Sequence, residues 1–108
     1  MAILVINAPR WRVRQENARS FEQILHLGIG EGYAIYNNIF DQLSPGCGVV
    51  VLDKNQSRRA EGQLIRLVPT TRTNNGIQRY DVYIQNLTEV VPYRPERLNR
   101  CGVAVIHR

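Results

Sequence analysis

The sequence predicts an α+β fold that is mostly β: a small pseudo-barrel of six or seven strands with one short helix packed on it. Three observations lead there. Turn-forming residues punctuate the chain every ten residues or so, about the spacing of short strands joined by turns. The segments between them are apolar and rich in β-branched residues, and a single stretch combines helical periodicity with both caps.

The elements follow in chain order. Ala2–Asn7 (AILVIN) is a compact apolar run closed by Ala-Pro, the pattern of a strand buried within a sheet. In ARSFEQILHLGIG, Phe21, Ile24 and Leu25 fall on one helical face, Ser20 and Gln23 have capping-box spacing, and Gly28 or Gly30 terminates. A helix this short needs the sheet beneath it to persist. Gly28-Ile-Gly-Glu-Gly32 invites a phosphate-loop reading, but its glycines follow a helix instead of preceding one, which favours a cap and a tight turn. Tyr33–Tyr36 reads as a short strand, Asn37–Leu43 as one helical turn and Ser44-Pro-Gly46 as a β-turn. Cys47–Asp53 (CGVVVLD) is a core strand, and Ala60–Val68 is its partner across the loop DKNQSRRAEG. Thr70–Gly76 reads as a polar turn around Arg72, Ile77–Leu87 alternates like a half-buried strand, Glu89–Tyr93 follows at once, and Gly102–Ile106 is the last apolar strand.

With 108 residues the chain makes one domain, residues 1–108, large enough to hold a core without metal or disulfide staples. At 44% hydrophobic and 21% charged it is too apolar for disorder, and its apolar runs are too short to span a bilayer. MAILVINAPR has no basic stretch ahead of its apolar residues and no small-residue cleavage site, so it reads as a first strand and the expectation is a cytoplasmic protein. Cys47 and Cys101 lie far apart without metal-ligand spacing and are expected to be reduced, buried thiols. No metal or cofactor is expected.

Charge is the first feature with functional content. The net charge is +5, and 13 of the 14 basic residues are arginine, whose planar fork grips phosphate in two places and stacks on bases. A polyanionic partner is favoured over simple solubility. Arg58 and Arg59 are expected at the exposed tip of their loop, so that truncating both lowers nucleic-acid affinity with little change in thermal midpoint. Pro9-Arg-Trp-Arg-Val-Arg14 surrounds the only tryptophan with Arg10, Arg12 and Arg14, combining stacking with phosphate contact. The tyrosines at 33, 36, 80, 83 and 93 are further π-faces or half-core residues.

The run LSPGCGVVVLDKNQSRRAEGQLIRLV, preceded by strand, helix and aromatic strand, resembles the PUA-like superfamily, and within it the EVE-type domains. The residues that carry the likeness are Leu43-Ser-Pro-Gly46, Val49–Leu52 and Glu61-Gly62-Gln-Leu-Ile65. Cys47 stands where that family has aspartate, and with Trp11 the only tryptophan, an aromatic cage does not carry over residue by residue. The resemblance implies a pseudo-barrel that binds RNA or a modified base between barrel and helix, with the backbone on a basic rim.

The expected function is therefore nucleic-acid binding to RNA or single-stranded DNA through Arg10, Trp11, Arg12, Arg14, Tyr33, Tyr36, Arg58, Arg59 and Arg72. Trp11 and at least one of Tyr33 and Tyr36 are expected to share a concave surface between helix and barrel, lined by arginines from Arg10 to Arg14. No catalytic constellation stands out: His26 reads as a helix-end residue, His107 is penultimate, and Glu61 beside Arg59 reads as an ion pair before a general base. The alternative is a protein-interaction or self-assembly module using Pro92, Tyr93 or the edge strand GVAVI.

Overall fold

The computed structural model describes residues 1–9, 18–74, 76–91, 96–99 and 102–107, apart from the side chains of Arg72 and Asn74. Six strands, β1 (Ala2–Ala8), β2 (Ile29–Ala34), β3 (Gly48–Asp53), β4 (Arg59–Asn74), β5 (Ile77–Val90) and β6 (Val103–His107), form one sheet in the order β2-β5-β4-β3-β1-β6. The described residues also form two helices, α1 (Phe21–Leu27) and α2 (Asn37–Phe40), and the fold is a curled half-barrel with α1 packed on it.

β1 and β3 are the parallel pair, with Ile3 opposite Gly48 and Ala8 opposite Asp53. Both are buried on two faces, which is why AILVIN and VVVL read as unbroken apolar runs. One face carries Leu4, Ile6, Ala8, Val49 and Val51 into the main core with Phe21 and Ile24 of α1, Leu64 of β4, and Val82 and Ile84 of β5. The other carries Val5, Val50 and Leu52, packed by Ile3, Leu98, Ala104 and Ile106. The sheet curls around the main core. β2 and β1 have three strands between them in the order, yet the hydroxyl of Tyr33 donates to the carbonyl of Asn7.

Local signals fix α1. Ser20 accepts from the Gln23 N–H at 3.2 Å while the Gln23 side chain accepts from the Ser20 N–H at 2.9 Å, closing the capping box. Gly28 ends the helix at φ 70°, and the chain passes directly into β2, so the glycine-spaced segment is a cap followed by a strand. A Cβ on Gly28 would lie 2.7 Å from the Ile84 carbonyl oxygen. Gly28→Ala is expected to cost about 1–2 kcal/mol from its left-handed backbone alone, with the clash added. Gly46→Ala, at φ 89° with nothing within 4 Å of its Cβ, isolates the backbone contribution. Urea denaturation of both should give Gly28→Ala the larger loss, and equal losses would show that the Ile84 contact yields freely.

Three strand boundaries differ from expectation. β2 begins at Ile29 and ends at Ala34, before Tyr36. β4 runs on through the polar stretch to Asn74, and β5 runs unbroken from Ile77 to Val90, because register shifts absorb the irregularities that read as turns. Asn86, at φ 55°, lies at one of them. Among the described residues no helix is long and apolar enough to cross a membrane.

Candidate nucleic-acid interface

One end of the sheet collects most of the basic connections. The pairs Ala8–Asp53, Leu52–Arg59 and Arg59–Val90 align the carboxyl ends of β1, β3 and β5 with the start of β4. At this end lie the 54–58 loop, the 96–99 segment and the amino end of α1.

The loop from β3 to β4 is held tightly. The Asp53 carboxylate accepts from the Ser57 hydroxyl at 2.7 Å and from the Arg58 N–H at 3.1 Å. Burial alone would raise the Asp53 pKa, but these bonds outweigh it and hold the group below its ordinary value. Gln56, at φ 56°, makes two bonds with the backbone of Glu96: its amide donates to the carbonyl at 3.0 Å and its oxygen accepts from the N–H at 2.8 Å. Lys54 stands exposed in this loop and Arg97 exposed in the facing segment, neither with a carboxylate partner among the described residues.

Arg58 and Arg59 depart from the exposed-tip expectation in different ways. Arg59 is the first residue of β4 and is only 1% exposed. Its Nε donates to Glu61 at 2.8 Å and its Nη1 to Glu96 at 3.1 Å. Burial alone would lower its pKa, but the two carboxylates more than compensate and hold it above the ordinary value. The Glu61 pairing read from sequence is present, but Arg59 is a buried anchor, since it shares a sheet face with Leu52 and the 96–99 segment closes over that face. Arg58 is half-exposed and already engaged. It forks onto Glu89 at 2.8 and 2.7 Å, pairs with Glu22 of α1, and lies 4.6 Å over the Phe21 ring. Glu89 first, then Glu22, raises its pKa, and Arg58 in turn lowers that of Glu89. It docks α1 against β5.

The tyrosines are corrected as well. Tyr33 is 2% exposed, its hydroxyl spent on Asn7, because the curl of the sheet turns it into the core. Tyr36, at 38% exposed, follows Ile35, whose N–H bonds to Gln78, and so belongs to the opposite end of the sheet from Pro9. Trp11, expected from sequence to share a concave surface with at least one of them, lies outside the described residues. The face that α1 turns to the sheet is filled by buried Phe21 and Ile24. Arg72 lies by its backbone near the distant β4–β5 tip, beside the Thr73–Gln78 pair, its side chain outside the described residues. Arg10, Trp11, Arg12, Arg14, Pro92, Tyr93 and Cys101 lie outside the described residues; Cys47 is buried with a free thiol.

Charge divides in a way the total conceals. The described segments contain eight basic and eight acidic residues, so the whole +5 comes from residues 10–17, 92–95, 100–101 and 108. The first three segments hold Arg10, Arg12, Arg14, Arg94 and Arg100 against one carboxylate, Glu16. Most of their described flanks lie at the Arg59 end, while Arg19, just after the first segment, reaches the Ile29 carbonyl and Glu31 of β2. Pro9 follows Ala8; Phe21 and Glu22 sit on Arg58; Val91 follows Val90; Glu96 binds Arg59; and Gly102 accepts from the Asn7 N–H at 3.1 Å. Lys54 and Arg97 join this end and were not singled out from sequence, though the only lysine, opening a polar loop, was a legible signal. Among the described residues no three His, Cys, Asp or Glu side chains cluster to hold a metal. Comparison with models of known protein families, with curated proteins and with solved structures gives no match.

Proposed function

We propose that this protein is a cytoplasmic nucleic-acid-binding module of the PUA-like, EVE-type kind, which takes RNA or a single-stranded or modified base at the Arg59 end of its sheet. One observation supports this above the rest: an electrically balanced set of described residues, with the excess arginines other than Arg108 in segments most of whose described flanks gather at one end of the sheet. Phosphate contact by clustered arginines supplies affinity, and Trp11 and Tyr93, in the same connections, supply stacking surfaces.

A salt-varied titration against single-stranded RNA, single-stranded DNA and duplex tests the reading. Single strands should bind most tightly, with affinity falling steeply as salt rises. Binding that ignores salt, or none to any nucleic acid at low salt, would overturn it. A second reading, self-assembly, is favoured by β6, an apolar outer strand that among the described residues pairs only with β1, and a calibrated sizing column separates it from a monomer.

A further inference from the structure

The outer face of the β4–β5 hairpin carries a second arrangement suited to nucleic acid. Val82 and Ile84 point into the core, so Tyr83 between them points outward. Leu64 and Leu67 both face the core although they are three residues apart, because the register shifts between Leu64 and Arg66. That bulge places Ile65 and Arg66 together on the outer face, a known use of bulges in re-aiming side chains. Arg66 lies opposite Tyr83, its guanidinium 4.7 Å over the ring, and Ile65 beside it is 42% exposed.

Arg66 differs from the other anchored cations. Arg19, Arg58 and Arg59 are spent on carboxylates and Arg79 donates to the Gly32 carbonyl. Lys54 and Arg97 are exposed with no anchoring contact among the described residues. Arg66 alone among the described cations is both oriented by an aromatic ring and without a carboxylate partner. A fixed, uncompensated guanidinium on a tyrosine is suited to receive a base on the ring or guanidinium plane and a phosphate on its free N–H groups.

We propose that Tyr83, Arg66 and Ile65 form a stacking platform for one base of a single-stranded RNA whose neighbouring phosphates engage the basic end of the sheet. The proposal rests on the nucleic-acid reading above. Arg66 lies seven positions along β4 from Arg59, about 23 Å at strand spacing, so a short oligonucleotide can reach both.

The test uses the intact chain with a fluorescein-labelled oligouridylate of twelve nucleotides, titrated at several salt concentrations. Tyr83→Leu should weaken binding about 5- to 150-fold with the salt slope unchanged, because stacking releases no counterions. Tyr83→Phe should bind like the native protein. Arg66→Met should weaken binding and also flatten the slope by about 0.7. If the native protein binds and both Tyr83→Leu and Arg66→Met match it, the platform is refuted while the functional reading stands. If the native protein shows no salt-dependent binding, both fall. Thermal melts check folding, and should Tyr83→Leu not fold, Arg66→Met alone decides by its slope.

Discussion

Replacing Arg59 with methionine should destabilise the protein by about 3–5 kcal/mol, the usual consequence of removing one partner from a buried ion pair. For a domain of this size that is a large part of a total near 5–15 kcal/mol. Methionine roughly fills the space, so the loss comes from charge and hydrogen bonding. Glu96, 10% exposed, keeps its carboxylate without the Arg59 cation beside it. Glu61, nearly half exposed, turns to water at little cost. Because Gln56 holds Glu96 through its backbone, the 96–99 segment keeps two bonds after the side-chain pair is gone. Arg59→Met with Glu96→Leu should therefore recover much of the loss, and a double-mutant cycle by urea denaturation measures how much. Arg58→Ala should lower the denaturation midpoint less than Arg59→Met does, since its partners are solvated. A midpoint for Arg59→Met within error of the native protein would mean that Arg59 does not anchor this face.

This expectation reverses what the sequence suggested for the Arg58-Arg59 pair, and the reason is separation along the chain. The capping of α1 was legible because Ser20, Gln23 and Gly28 act on their own neighbours. Arg59 was not, because Glu96 lies 37 residues downstream and nothing local marks it as a partner. Half of the arrangement was nevertheless in view, since Arg59 and Glu61 are two residues apart and share a face once β4 starts at Arg59. Tyr33 failed similarly. Its fate depends on the curl that brings β2 to β1, a property of the closed sheet and not of the segment IGEGYA. The long β4–β5 hairpin was hidden by its bulges, which place polar residues where a regular strand would not and so imitate turns. Strand order, by contrast, put Pro9, Asp53, Arg59 and Val90 at one end, and only then did described flanks of the arginine-rich segments take a common position in space.

The second large effect concerns that position. Arg10→Ala, Arg12→Ala and Arg14→Ala together should flatten the dependence of log affinity on log salt by about 2 for a single strand, taking about 0.7 for each phosphate that no longer meets an arginine. The weakening of affinity should be greatest at low salt and should leave stability little changed. Total charge is the confounding variable, because removing any three arginines from a protein of net charge +5 weakens its attraction to a polyanion at long range. The control must therefore remove charge elsewhere. Arg72 lies near the β4–β5 tip, and Arg108 follows His107, which pairs with Ala2 at the end of the sheet opposite Arg59. Arg72→Ala with Arg108→Ala should reduce affinity slightly and leave the slope near its native value. Trp11 supplies an independent readout, since emission from the only tryptophan should be quenched by oligonucleotide in the native protein and in the Arg72 and Arg108 variant, but much less in the triple variant at the same concentration. If the distant pair flattens the slope as much per arginine as the triple does, the attraction is diffuse and the Arg59 end holds no interface.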